Sequence, residues 1–210
     1  KNLSDKLSDT LGNQRITNWA LQDMNEKEFV DYLLADQPFI PKYFPFDVEV
    51  NRKGADSLKE SIGAVKTLKN VMEVEDGVLV VDIRKEEDFK KGHLKGSLNI
   101  QCGPKDKYET WLGSIVAPGE PFYLIAASEE DLEAALVRTA KIGYEKQVTG
   151  KLAANNFGTS DIAKPDVEAF AASMDDYFIL DIRQKHEHEH DRIFENSVNI
   201  PLSVLREKAK

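Results

Sequence analysis

Three kinds of side chain in this sequence have the types and spacing to do chemistry. The first is Asp82 with Arg84 in "VVDIR", a pair that returns as Asp181 with Arg183 in "ILDIR". An aspartate at the end of an apolar run can accept a phosphoryl group. An arginine two residues on, in both places, favours a buried or half-buried polar network that pins the end of a strand. The second kind is histidine. His93 in "KKGHLKG" can act as a base, but no nucleophile lies near it in sequence. Its expected role is structural, with the ring bonded to backbone near the following strand. His186, His188 and His190 alternate with glutamates in "HEHEHD". On a helix His186 and His190 stand four apart and could clip a zinc ion adventitiously, yet two histidines alone make a poor site. A solvated helix face is the favoured reading. The third is Cys102, the only cysteine. It follows a strand, and it lacks the helix N-terminus and adjacent cations that would activate it, so a free thiol is expected rather than a nucleophile.

The chain around these residues has 210 positions, 41% hydrophobic and 31% charged, enough for a real core in one large domain or two small ones. A net charge of −9 and a pI near 5.1 speak against nucleic acid and anionic membranes as partners. No apolar run reaches the roughly 18 residues a membrane helix needs. There is no signal-peptide pattern. A single cysteine allows no internal disulfide and suits a reducing cytoplasm.

The elements that must position the candidate residues follow from periodicity. Asn25, with Glu28 three residues on, forms a capping box for a helix with Phe29, Tyr32 and Leu33 on one face, ending near Asp36. "QPFIPKYFPF" carries Pro38, Pro41 and Pro45 and reads as extended. Its aromatics are too apolar for a free linker and should lie against a neighbouring surface. "GVLVVDI" is a continuous apolar run, the mark of a strand buried on both faces. "EEDFKKGHL" reads as a short helix closed by Gly92, "GSLNI" as a short strand and "PFYLIAAS" as another buried strand. "EEDLEAALVRTAKIG" is an amphipathic helix with Leu132, Leu136 and Ala140 inward and Gly143 closing it. Trp111 and Leu112 read as core, with Tyr108 and Trp111 as candidates for a partner surface. Strands alternating with helices mean a parallel sheet with right-handed crossovers. Asp82 and Asp181 stand about a hundred positions apart, so the repeat unit is a small α/β domain and not a solenoid turn. The second copy begins near Lys164 and has about half its parts before Lys210.

"VVDIR…F…GHLKGSLNI" resembles the opening half of a rhodanese domain: strand, Asp-x-Arg, short helix, Gly-His-hydrophobic, small residue, Asn-Ile. The second copy matches more loosely, with Asp191-Arg192-Ile193 in place of Gly-His-hydrophobic, and "NIPL" at Asn199 to Leu202 restores it. The resemblance implies a doubly wound five-stranded parallel sheet. Active members place a cysteine at the end of the next strand, in a loop opening a helix. Such a thiolate has a lowered pKa, and the surrounding backbone N–H groups stabilise the persulfide it forms. Here that strand runs into Ala126-Ala127-Ser128, and by register Ala126 takes the nucleophile's place. Glu129, Glu130 and Asp131 follow, where an active loop has Gly and Arg. They would repel a persulfide, thiosulfate or phosphate, and they suit a helix N-terminus. The first copy thus resembles a pseudo-rhodanese. A phosphatase relative on the same fold would need a Cys-x5-Arg loop, and none exists.

"DTLGNQRITNWAL" and "PKYFPFDVEVNRKG" resemble the tail of the metallo-β-lactamase-fold domain in persulfide dioxygenase–rhodanese fusions, with Asn13 where related sequences often have Tyr. That resemblance implies three segments. Residues 1–54 are a helical and extended metallo-β-lactamase tail, 55–156 a rhodanese-like domain without its cysteine, and 157–210 the first half of a second. It further implies a parent that oxidises a low-molecular-weight persulfide at non-haem iron (or zinc) held elsewhere, and moves sulfane sulfur through its last rhodanese domain. No cofactor is expected in this chain. The histidines of "HEHEHD" do not reproduce the His-x-His-x-Asp-His metal motif of that family, whose order differs and which lies earlier in the domain. The expected partners are the rest of the parent domain, a persulfide or thiosulfate for the parent, and a second subunit in a homo-oligomer. The rival reading is a non-catalytic rhodanese-fold module that mediates dimerisation or docks a sulfur carrier.

Overall fold

A computed structural model describes residues 8–35, 39–154, 157 and 166–208. The chain divides into two compact units, residues 1–39 and 40–210. In the first, α1 (Leu11–Thr17) is capped by the Thr10 hydroxyl, which accepts the Asn13 N–H. The capping box of α2 (Glu26–Leu34) forms as the sequence implies: Asn25 Oδ1 accepts the Glu28 N–H and Glu28 Oε2 accepts the Asn25 N–H, both at 2.9 Å. Phe29 and Tyr32 meet the Trp19 ring at 5.6 and 4.3 Å. The helix stops at Leu34. The predicted end at Asp36, and Pro38 beyond it, lie outside the described residues.

The second unit opens with a correction. Tyr43–Lys53 is a helix, α3, and not an extended strip. Pro45 is its third residue, in the first turn, where an N–H would have no helical partner and the ring is tolerated. The aromatics do lie against a neighbouring surface, with Tyr43 and Phe46 packed on the main core. The Tyr43 ring sits so close over Gly113 that a Cβ there would come within 2.1 Å of its Cδ1. α4 (Leu58–Gly63) follows.

The sheet is then built by β1 (Leu79–Asp82), α5 (Glu86–Lys91), β2 (Leu98–Asn99), α6 (Tyr108–Ile115), β3 (Phe122–Ala126), α7 (Glu129–Ala140) and β4 (Val148–Ala153). The strand order is β2-β1-β3-β4, all parallel. Beyond β4 the chain at Thr67 adds a short fifth member: Lys151 accepts the Leu68 N–H and donates to the Lys66 carbonyl, each at 2.8 Å. This is the doubly wound α/β sheet expected. Alternate residues serve opposite faces. Val81, Leu124 and Ala126 enter one core with Leu112, Leu132 and Tyr144, while Val80, Tyr123 and Ile125 enter the other with Leu68 and Leu152. The inward face of α7 is Leu132, Ala135, Leu136 and Thr139, with Ala140 only half-buried. The helix closes as a Schellman turn. Tyr144 donates to the Thr139 carbonyl, Gly143 donates to Ala140, and Gly143 takes φ 70°, the left-handed region glycine tolerates.

The second repeat runs α8 (Val167–Ala172), β5 (Leu180–Asp181), α9 (Lys185–His190), β6 (Val198–Asn199) and α10 (Leu202–Lys208). β5 and β6 pair in parallel with Asp181 opposite Asn199, as Asp82 stands opposite Asn99 in β1 and β2. α10 packs on α6 of the first repeat. Arg206 there grips Glu120 with two bonds of 2.6 and 2.9 Å. Among the described residues no helix is long and apolar enough to cross a membrane.

Candidate functional site

The strand order reverses between β1 and β3, because the chain leaves β1 towards β2 on one side and reaches β3 on the other. In such sheets the carboxyl ends of the strands part at that point and leave a crevice. Here the crevice is a cavity of about 520 Å³ whose walls include Ile83, Arg84, Lys85, Cys102, Ala126 and Arg138. The two parts of the first repeat that the sequence singled out, the Asp-x-Arg pair and the end of "FYLIA", therefore come together.

Asp82 closes β1 fully buried, and Arg84 is nearly so. The carboxylate accepts the Arg84 backbone N–H at 3.0 Å and the guanidinium in a fork, Nε at 3.0 and 3.1 Å and Nη2 at 2.6 Å. Nη2 also donates to the Gly92 carbonyl at 2.8 Å, and the guanidinium lies 4.5 Å over the Phe157 ring. Asn99 completes the network by donating to the carbonyls of Asp82 and Arg84 at 2.9 and 2.8 Å. Fully buried and held in the Arg84 fork, the carboxylate is not open to a phosphoryl donor. The second repeat copies the arrangement at a half-buried site: Arg183 forks onto Asp181 and donates to the Asp191 carbonyl, while Asn199 donates to the carbonyls of Asp181 and Arg183. Hydrogen bonds from Arg183 first, then from His188, hold the Asp181 carboxyl well below the usual carboxylate range.

His93 bonds to backbone, but at a different place from the one expected. Its Nδ1 pairs with the Phe89 carbonyl of α5 at 3.0 Å, and its ring stacks on Phe89 at 3.9 Å. Its anchor is the helix before it and not the strand after it. In the second repeat His188 and Arg192 stand at the positions of Phe89 and His93. His188 is buried, with Nδ1 3.0 Å from Asp181 Oδ2, and Arg192 reaches its Nε2 at 3.2 and 3.3 Å. His186 and His190 lie exposed on α9. Among the described residues no three His, Cys, Asp or Glu side chains come together to hold a metal.

Ala126 ends β3 fully buried. The helix that follows is capped from within: Ser128 Oγ accepts the Asp131 N–H at 3.1 Å and donates to Asp131 Oδ2 at 2.6 Å. That cap occupies one of the donors which a helix N-terminus would otherwise turn towards an anion. Glu129 and Glu130 lie exposed, with Glu129 3.7 Å from Lys151.

Cys102 requires a correction. A cation does stand beside it: Arg138 of α7, with Nη1 3.7 Å from the sulfur. Burial nevertheless dominates and pushes the thiol up to about 11, with Arg138 opposing and Glu109 and Asp106 adding to the rise. The expected outcome, an unactivated thiol, rests on burial rather than on a lack of cations. Arg138 is 36 positions away in sequence, on the polar side of a helix, so no local signal marked it. Tyr108 is also corrected. It is fully buried with its hydroxyl 2.9 Å from Thr139 Oγ1, and offers no surface.

Comparison with known proteins agrees with this geometry. Residues 64–149 match the family model for the rhodanese-like domain. The chain is also similar to the crystal structure of a metallo-beta-lactamase from Staphylococcus aureus subsp. aureus COL, with 25% identity and a TM-score of 0.53 over 68% of this chain and 39% of that one. The chain thus spans about two fifths of that neighbour's length. No curated protein matches it. The chain contains a rhodanese-like domain in a mixed α/β fold with a parallel sheet, and it has a structural neighbour named for the metallo-β-lactamase fold.

Proposed function

We propose that the chain is part of a sulfide- or persulfide-metabolising enzyme, a persulfide dioxygenase–rhodanese fusion, and that its first rhodanese-like domain serves there as a non-catalytic body. The observation that carries the second half is the end of β3. Ala126 offers no nucleophile, and the Ser128 cap takes up one of the helix N-terminal donors that would steady a persulfide. The first half rests on the resemblance of the sequence to such fusions, together with the rhodanese-like match and the metallo-β-lactamase neighbour. The iron or zinc of the parent would be bound by residues other than those described here, and no step in this domain runs through it. The parent's substrate would be a low-molecular-weight persulfide or thiosulfate, and its setting the cytoplasm.

The open crevice beside Ala126 favours a second reading, in which the domain docks a sulfur-carrier partner or a second subunit without turnover. Both readings predict no thiosulfate:cyanide sulfurtransferase activity from this chain. Thiocyanate formation is the measurement, with Cys102→Ser as control. Turnover that survives Cys102→Ser overturns the non-catalytic assignment. Turnover that vanishes in that variant makes Cys102 the nucleophile instead.

A further inference from the structure

We propose that residues 101–107 form a lid on the crevice at the switch point of the sheet, and that Arg138 is its latch. The first wall of the cavity is the segment carrying Cys102, Gly103 and Pro104; the others are the end of β3 with the start of α7, and the stretch after β1 with Arg84 and Lys85. The first wall belongs to no helix or strand. It is folded on itself by one tight turn, in which Gly103 N–H donates to Asp106 Oδ2 at 2.7 Å and Asp106 N–H donates to the Gly103 carbonyl at 3.1 Å.

A single guanidinium fastens this turn to α7. Arg138 donates to the Gly103 carbonyl at 2.9 Å and the Asp106 carbonyl at 2.8 Å, and forks onto Glu109 at 2.9 and 2.5 Å, just past the lid. At the other end the Gln101 side chain accepts the Glu86 N–H at 3.2 Å. The planar fork of arginine suits two carbonyls and a carboxylate at once, and lysine could not replace it. The second repeat supplies the contrast. There β6 ends at Asn199 and α10 begins at Leu202, whereas in the first repeat β2 ends at Asn99 and α6 begins only at Tyr108. The lid is what the first repeat adds at this point. The inference goes beyond the sulfur chemistry proposed above and stands or falls separately from it.

Cys102 sits half-buried in the lid and is the only thiol, so the rate of its alkylation relative to wild type reports opening. The two roles Arg138 could have predict opposite signs. If the guanidinium acts only as a nearby charge, removing it raises the thiol pKa further and Arg138→Gln labels more slowly with iodoacetamide at fixed pH. If it is a latch, Arg138→Gln labels faster, by roughly tenfold for the loss of a charge-assisted pair. Arg138→Lys, which keeps the charge and loses the fork, should also label faster. Hydrogen exchange at the β3 amides, measured in parallel on the full chain, should be unchanged in both variants. Labelling that is equal or slower in Arg138→Gln refutes the latch. Faster labelling that comes only with lost protection throughout β3 also refutes it, because Arg138 would then be a support for the core.

Discussion

Asp82 and Asp181 carry the same bonds in different surroundings, and the difference sets what each is worth. Removing the Asp82 carboxylate would strand a buried guanidinium, and breaking a buried pair in this way costs about 3–5 kcal/mol. Asp82→Ala should therefore shift the urea midpoint strongly. Asp181→Ala should cost clearly less, since the Arg183 side chain is 28% exposed and water can take over its donors. Equal shifts in the two variants would show that burial does not govern the network. The Asp-x-Arg pair was legible in the sequence because both partners lie two residues apart at the end of an apolar run. The sequence reads His188 with His186 and His190 as part of a solvated helix face, which its burial corrects. His188 follows Asp181 by the interval that separates Phe89 from Asp82, and only laying one repeat over the other reveals that a polar ring has replaced an apolar one. Arg192 at the place of His93 is the matching change: where His93 stacks on Phe89, Arg192 bonds to His188. Arg138 was illegible for another reason. Its partners lie 29 to 36 positions upstream, and nothing local distinguishes it from a solvated arginine.

At the scale of elements, α6 and α7 are joined by the Glu109–Arg138 fork as well as by the apolar core beneath it. The hydrogen bond from Arg138 is the main cause that draws the Glu109 carboxyl down to about 2 from an ordinary value near 4.5. A carboxyl depressed by folding stabilises the fold above its unfolded pKa, and that contribution fades as pH falls through the folded value. The α6–α7 link should thus be intact at pH 5 and weaken between pH 4.5 and 2. Urea melts across that window should show wild type losing more stability than Glu109→Gln, which has no such proton to take up. Parallel curves for the two proteins would remove Glu109 from the acid response. The strands and helices of this sheet were legible because apolar runs and helical periodicity are local signals. The helix α3 was misread because three prolines in eight residues suggest an extended chain. Tertiary packing of Tyr43 and Phe46 decided otherwise, and Pro45 landed in the one turn that accepts it.

At the scale of the whole second unit, the two repeats are unequal in a way that composition alone hides. The first has cores on both faces of its sheet, whereas among the described residues of the second, from 166 to 208, only His188 is buried. A two-stranded parallel sheet whose described residues are at best half-buried has little apolar burial to hold it. The second repeat must therefore lean on the first. The described contacts that allow this include α10 against α6 and Arg206 bonded to Glu120 and to the Ile115 carbonyl, with an ion pair of Glu207 to Lys42 ahead of the first repeat beside them. Arg206 is partly exposed, and an exposed ion pair alone is worth only about 0–1 kcal/mol. Its effect should still be visible locally, because a segment with few buried contacts opens at low free energy and small losses change its population directly. Glu120→Ala should lower hydrogen-exchange protection at Val198 and Ile200, whose amides bond to Ile179 and Asp181, and leave Phe122–Ala126 untouched. A uniform fall across both repeats would mean that they unfold as one body. No change at either place would mean that apolar packing of α10 on α6, and not the Arg206–Glu120 pair, holds the second repeat in position.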